Sequence, residues 1–266
     1  MSTLALSDRR RAVRGVTGMF GRDALVAVRD VWGLATQSLL QPVLTLIVFG
    51  MVLDRLGFVA PAYRQVLLPG TVAMTVFATA IATVAMPLVL EFAYTREIDD
   101  RLTSPVPTGW LAVEKVLFGA AKAAVSGLLM IPIGMLLLGS SAFPMHAAAA
   151  VVGVLLLTGL AGAAVGLSLG TLVGPARLPT VFSAILTPIF FTGCSQYPWA
   201  SLTPIPVFKW AVLANPLSYA SESVRGLVLP GSPHLAVPLD IVALVVVTLG
   251  FGALGVRGFN RRAGQR

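Results

Sequence analysis

The residues best suited to chemistry are a serine in a hydrolase-like pattern, two histidines and one cysteine. Gly166-Leu167-Ser168-Leu169-Gly170 matches the G-x-S-x-G pattern of hydrolases. That chemistry needs a strand-to-helix turn that exposes the serine, whereas the surrounding Ala, Val, Leu and Gly predict an uncharged helix. Gly162, Gly166 and Gly170 recur every four residues, which is typical of a helix face that another helix approaches closely. We therefore interpret the pattern as helix packing and disfavour an intramembrane hydrolase.

Neither metal nor nucleotide chemistry has the residues it needs. His146 and His234 have no partner at metal-ligand spacing, and a single cysteine, Cys194, excludes an intrachain disulfide and a cysteine cluster. The G-x-x-x-x-G-K-[ST] pattern that cradles nucleotide phosphates does not occur. The sequence thus predicts a non-enzymatic chain with no metal or cofactor of its own, and any ATP hydrolysis would belong to another polypeptide.

Lys122 stands out as a cation far inside an apolar stretch, with Lys115 seven residues earlier and Glu114 beside Lys115. A lysine at that depth faces a bundle interior or a watery cavity rather than lipid. It either binds an anionic substrate or headgroup, or pairs structurally. Gln37 and Gln41 are the other polar candidates for a transport pathway, since they precede Pro42 in an otherwise apolar run.

A densely charged segment, EFAYTREIDDRLTSPVP at 91–107, separates two long apolar runs. It holds four of the eleven acidic residues of the chain, Glu91, Glu97, Asp99 and Asp100. Bilayer hydrocarbon cannot hold so many charges, because each would cost several kcal/mol there. We expect a water-facing loop on which a soluble partner docks.

The composition is that of a polytopic membrane protein: 56% of residues are hydrophobic, 11% are charged, and the mean hydropathy is +0.87. An average soluble domain has roughly 25% charged residues. The net charge of +8 does not indicate nucleic-acid binding, because the basic residues sit at chain ends and in loops rather than in a patch with interleaved aromatics.

The apolar runs predict an all-α fold with six transmembrane helices, at 34–53, 66–90, 111–138, 147–173, 180–194 and 237–256. The fifth run, at about 15 residues, is short for ~30 Å of hydrocarbon. Residues 1–33 form a basic tail with an amphipathic helix at 16–32, for which a frayed tail is the alternative. Residues 34–256 form the transmembrane domain, with a cytosolic loop at 91–110, and 257–266 form a basic tail.

The segment 195–236 is too apolar for an ordinary loop and is interrupted by prolines, among them Pro198, Pro204, Pro206, Pro216 and Pro230. Such broken, aromatic-rich helices belong at the headgroup level or in re-entrant segments. We predict two short helices, at 207–213 and 217–229, dipping into the outer leaflet; a simple external cap is the alternative.

Lysine and arginine are distributed unequally across the predicted membrane. With both termini on one side, that side holds fourteen of them and the other side holds four, leaving out Lys122. The positive-inside rule then places both termini and the loop 91–110 in the cytoplasm.

Three stretches resemble the membrane permease of type 2 ABC exporters, a class that includes antibiotic-resistance, nodulation-factor and polysaccharide exporters. Leu68-Pro69-Gly70 with Met74 is similar to the opening of the family's second span. Arg96-Glu97, the prolines of 105–107 and Glu114-Lys115 resemble its charged loop and "gK" motif, with Glu114 in place of the common glycine. The most specific stretch resembles the pattern "P…G…yP…lP…NPl.y…R" and comprises PIFFTG at 188–193, Tyr197-Pro198, PIPVFKW at 204–210, NPLSY at 215–219, Glu222 and Arg225.

The resemblance, which covers most of residues 30–260, implies six spans, an amphipathic elbow helix before the first, a cytosolic coupling helix and re-entrant helices before the last span. It implies that ATPase coupling involves Glu91, Tyr94, Arg96, Glu97, Asp99, Asp100 and Arg101. It also implies a re-entrant hairpin that includes Tyr197, Pro198, Asn215, Pro216, Tyr219, Glu222 and Arg225.

The partners implied by the resemblance are separate nucleotide-binding ATPase subunits, which carry ATP and Mg, and a second permease, the same or a homologous chain. A hydrophobic or amphipathic drug, lipid or glycolipid would then pass between the two permeases in the plasma (inner) membrane. The rival function is a self-contained, ion-coupled secondary transporter. That class needs intramembrane acids, and the chain offers only Glu114 and Asp240, each close to a predicted helix end.

Overall fold

The computed structural model describes residues 31–60, 62–92, 108–139 and 143–263, and within these ranges the chain is helical without strands. The main helices are α1 Val31–Thr45, α2 Tyr63–Leu90, α3 Thr108–Leu138, α4 Ala148–Leu172, α5 Leu178–Thr192, α6 Pro206–Ala211, α7 Pro216–Val228 and α8 Val237–Ala263. A π-helical stretch, Leu46–Val52, and the helical residues Leu53–Arg55 continue α1. The predicted amphipathic helix falls almost entirely in 1–30, outside the described residues.

Five of the described helices are long and apolar enough to cross a membrane, which makes the chain a multi-pass membrane protein. They comprise Ser38–Arg55, Tyr63–Leu90, Gly109–Leu138, Met145–Leu172 and Val237–Arg262. The predicted fifth span corresponds to α5, whose 15 residues extend only about 22 Å at ~1.5 Å per residue. A sixth crossing by α5 therefore stays a prediction.

Helix α2 is the centre of the bundle and packs against α3, α4 and α7. Of its most apolar window, 72% is buried, compared with 17% for α8. Phe77, Ile81 and Leu88 of α2 are each fully enclosed. Helix α8 therefore lies at the edge of the bundle and presents most of its apolar surface outward, as a membrane helix facing lipid or another subunit does.

The glycines of α4 lie at its contact with α2. A Cβ added to Gly162 would lie 2.7 Å from the carbonyl oxygen of Phe77, and one added to Gly166 would lie 2.8 Å from that of Ile81. At Gly170 the nearest atoms belong to Leu88, at 3.0 Å. Only glycine permits this approach, since a larger side chain would force the two backbones apart.

Helix α8 extends farther than the sequence predicted. It was expected to end at 256, followed by a basic tail, but it continues to Ala263 and includes Arg257, Arg261 and Arg262. No proline interrupts this stretch, and arginines in the last turns of a helix interact favourably with its C-terminal dipole. These three basic residues are therefore held on a helix rather than on a loose tail.

Candidate functional site: the hairpin, the groove and the loop end

The hairpin, defined as residues 195–236, contains two short helices close to the predicted positions. Helix α6 continues as a 3-10 turn, Val212–Ala214, and α7 follows at once. Asn215 is the N-cap of α7: its Oδ1 accepts a hydrogen bond from the Leu217 amide at 2.9 Å, and Pro216 occupies the first turn of the helix. The helices are thus present, while their depth in a membrane stays a prediction. The end of the bundle that carries them is called the hairpin end.

Arg225 is buried at the point where α7 meets α2. Its guanidinium is fully enclosed and pairs with Glu222, one helical turn earlier. Nη2 donates to the Cys194 carbonyl at 3.0 Å, and both Nε and Nη2 lie 3.4 Å from the Val66 carbonyl in the first turn of α2. An added Cβ on Gly70 would collide with the Ser195 carbonyl and this guanidinium, which explains the glycine of the Leu-Pro-Gly stretch.

Glu222 completes the connection on its other side. Besides the ion pair, Oε1 accepts from the Trp199 amide at 3.0 Å and Oε2 accepts from the Leu235 amide at 3.1 Å. A carboxylate excluded from water must be satisfied in this way, because an unpaired buried charge costs several kcal/mol. The pair therefore connects α7 to four other parts of the chain: α2, the turn after α5, the turn at 199–202 and the residues that lead into α8.

The side chains of the other hairpin residues identified by resemblance mostly donate hydrogen bonds to backbone carbonyls. Asn215 Nδ2 donates to the Ile189 carbonyl at 2.7 Å and to Thr192 Oγ1 at 2.9 Å, which ties α7 to α5. The Tyr197 hydroxyl donates to the Phe191 carbonyl and the Tyr219 hydroxyl to the Leu213 carbonyl, each at 2.7 Å. Pro198 has an extended backbone and directly precedes the turn at 199–202. These residues therefore shape the backbone of the hairpin.

Cys194 lies at the turn that leads into the hairpin. It has a left-handed backbone, with φ of 50°, and is fully buried. The turn thus holds a free thiol that is enclosed by the protein.

A cavity of about 160 Å³, which is called the groove, lies between α1, α2 and α5. Its polar lining includes Ser38, Gln41, Thr79 and Thr83, and its apolar lining includes Phe190. Gln41, predicted as a pathway residue, is therefore brought to a cavity. The lining combines amide and hydroxyl groups with apolar surface, so it suits an amphipathic molecule.

Of the other intramembrane candidates, those whose side chains are described do not line this cavity. The side chain of Gln37 is outside the described residues. Lys122 is half-buried on α3 and does not line the cavity, so its binding of an anion stays a prediction. Glu114 and Asp240 are both fully buried.

The opposite end of the bundle, where α2 ends and α3 begins, is called the loop end. Glu91 was predicted to be in a water-facing loop, but only 7% of it is exposed. Lys115 Nζ of α3 donates to Glu91 Oε1 at 2.5 Å, so this acid is part of the bundle. The other predicted coupling residues, Tyr94, Arg96, Glu97, Asp99, Asp100 and Arg101, lie in 93–107, outside the described residues.

Ser168 faces the neighbouring helix rather than an open site. It is 3% exposed, and its hydroxyl donates to the Phe251 carbonyl of α8 at 2.6 Å. Within the described ranges, no three His, Cys, Asp or Glu side chains come close enough to hold a metal ion. The described residues form a packed helical bundle that contains an amphipathic groove between α1, α2 and α5.

The sequence matches a known protein family and several related permeases. The family described as ABC-2 type transporter matches residues 16–229. The inner membrane transport permease YadH of Escherichia coli K12 is 30% identical over 223 residues, which cover 75% of this chain and 82% of the relative. The permease of the same name from Shigella flexneri matches with the same identity and coverage.

Proposed function

Because the chain belongs to the ABC-2 type transporter family, we propose that it is the permease subunit of an ATP-driven exporter of a hydrophobic or amphipathic compound. A separate ATPase subunit would bind and hydrolyse ATP with Mg, and this chain would convert its closure into alternate states of the membrane pathway. The groove between α1, α2 and α5 is the observation that supports this function most directly.

The size of the groove supports a site shared by two permeases. Its roughly 160 Å³ is well below the ~300–1,000 Å³ of a complete small-molecule site. A second permease, the same or a homologous chain, would close the groove and complete the site. The apolar lining, Met74, Leu186 and Phe190, would contact the hydrocarbon part of the substrate, and Gln41 its polar part.

Filling the groove tests the pathway. Ala82 lines the cavity, so Ala82→Trp should abolish export of a fluorescent amphipathic dye from cells that also express the cognate ATPase. Val242→Trp is the matched control, because Val242 is 60% exposed on α8 and should tolerate the same ring. Equal export by the two variants, at equal membrane expression, would contradict the assignment.

The loop at the loop end is the proposed ATPase dock. A tagged chain is purified from its native membrane in mild detergent, and a P-loop ATPase is expected to co-purify. Replacing Glu97, Asp99 and Asp100 together by alanine should release the ATPase while the permease stays folded. Asp54→Ala removes an acid at the hairpin end and should leave the complex intact. If no ATPase accompanies the unaltered chain, the exporter function is wrong.

We propose the inner membrane as the location, as in the name of the relatives, with both termini in the cytoplasm. The excess of lysine and arginine on the side of the termini supports this orientation. Reporter fusions after residue 60 and at residue 266 test it, since they should report opposite sides of the membrane.

One observation favours the ion-coupled alternative. Asp240 is fully buried, and neither of its carboxylate oxygens has a hydrogen-bond partner among the described residues. A buried acid of this kind is what a proton-coupled transporter uses. That function requires dye export to persist without the ATPase and to stop when an ionophore collapses the proton gradient.

A further inference from the structure

Phe92, the last described residue before the loop 93–107, is held by the last helix of the chain. Only 6% of it is exposed. Its ring packs edge-on against Phe259 of α8, with 5.5 Å between ring centroids and an interplanar angle of 67°. The guanidinium carbon of Arg262 lies 5.6 Å from the centre of the same ring, within range of a cation–π contact.

Arg262 also binds the end of α4. Nη1 donates to the Gly170 carbonyl at 3.3 Å, and Nη2 donates to the Val173 carbonyl at 2.9 Å. Gly170 lies in the last turn of α4 and Val173 directly follows it, where carbonyls lack intrahelical donors. One guanidinium therefore joins Phe92, the end of α8 and the end of α4.

Glu91, the residue before Phe92, makes a different connection. Its carboxylate pairs with Lys115 of α3. Two consecutive residues at the start of the loop thus contact different parts of the bundle: Glu91 contacts α3, while Phe92 contacts α8 and, through Arg262, α4.

Helix α8 extends from this contact to the hairpin end. Its 27 residues span about 40 Å at ~1.5 Å per residue, and it begins at Val237, two residues after the Leu235 amide that Glu222 binds. An α-helix moves largely as a unit, because its backbone hydrogen bonds link each turn to the next. Movement at Phe92 can therefore reach the hairpin through α8.

We propose that Glu91 and Phe92 divide the movement that follows ATPase closure between two routes. Glu91 and Lys115 transmit it to α3, whereas Phe92, Phe259 and Arg262 transmit it to α4 and α8. Phe92 and Arg262 are positioning residues in this scheme, and the scheme rests on the proposed ATPase-coupled function.

Hydrogen–deuterium exchange tests the division without a known substrate. The complex purified with its ATPase is measured without nucleotide and after trapping with ATP and vanadate. In the unaltered complex, trapping should change exchange in peptides from α3, α4 and α8. Phe92→Leu and Arg262→Gln should lose the change in α4 and α8 but keep it in α3, and Lys115→Met should show the reverse.

Arg261→Gln is the matched control for Arg262→Gln. It removes the same charge from the same helix end, but Arg261 is exposed. It should keep the nucleotide-dependent change in all three helices. Phe92→Leu keeps an apolar side chain, and each variant is required to retain the ATPase and the thermal stability of the unaltered complex.

Two results overturn the inference. If Phe92→Leu and Arg262→Gln keep the change in α4 and α8, the second route does not exist. If they lose it in α3 as well, the routes are not separate. Absence of any co-purified ATPase from the unaltered chain is a different failure, because it removes the proposed function itself.

Discussion

Replacing Arg225 by methionine should strongly destabilise the bundle, because Glu222 would remain buried and charged without its cation. Both side chains are fully enclosed, and the pair connects α7 to the Cys194 carbonyl. Removing one partner of a buried ion pair costs about 3–5 kcal/mol. At ~2–4 °C per kcal/mol for a protein of this size, the melting temperature should fall by about 6–20 °C.

The assay is thermal unfolding of purified protein in detergent, followed by intrinsic fluorescence. Asp54→Asn is the matched control, because it breaks the Asp54–Arg64 pair, in which the arginine side chain is 36% exposed. A partly exposed pair contributes about 0–1 kcal/mol, so the control should shift the melting temperature by no more than ~4 °C.

A double variant separates lost charge pairing from lost packing. Glu222→Gln combined with Arg225→Met removes both charges and leaves an amide oxygen to accept from one of the backbone amides at Trp199 and Leu235. It should be more stable than Arg225→Met alone, since no uncompensated charge remains. The reasoning is refuted if Arg225→Met melts no lower than Asp54→Asn, or if the double variant melts below Arg225→Met.

Three further predictions concern the interior of the bundle. Gly162→Val should destabilise the protein by about 1–3 kcal/mol in the same thermal assay, because the new side chain would meet the Phe77 carbonyl. Gly153→Ala is the control on the same helix and should be neutral or slightly stabilising, since a Cβ there has nothing within 4 Å. Equal effects of the two variants would contradict close α2–α4 packing. Ser168→Ala should leave dye export unchanged and cost about 1 kcal/mol of stability, whereas complete loss of export with normal stability would reopen a catalytic role. Cys194 should react with maleimide at pH 7 only after denaturation, because the thiol is buried; rapid labelling of the folded protein would show that the turn is open.

The helices were predictable because their signals are local. Long apolar runs indicated the five long helices, and Asn215-Pro216 marks the start of α7 by a capping geometry that involves only adjacent residues. The four-residue repeat of Gly162, Gly166 and Gly170 likewise indicated one face of α4, which the structure places against α2. Such patterns depend on helix geometry alone.

The connections between helices were harder to predict from the sequence, because they join residues that are far apart along the chain. Arg225 and the Val66 carbonyl are 159 positions apart, and Lys115 and Glu91 are 24 apart. The charge pattern around Glu91 predicted a water-facing loop, but this acid is buried. A local signal for the buried pair was present, since Glu222 and Arg225 are three residues apart and hence neighbours on one helix face.

That three-residue spacing also bears on how the protein is made. Glu222 precedes Arg225 on the same short helix, so the two charges can neutralise each other as soon as α7 forms, before any contact with the rest of the chain. The ribosome synthesises the Val66 carbonyl 159 residues earlier, and this end of α2 must wait for its donor until most of the chain has been translated. Helix α7, whose only charged residues are these two, would therefore reach the bundle as an electrically neutral unit and close it as one of the last steps of biosynthesis.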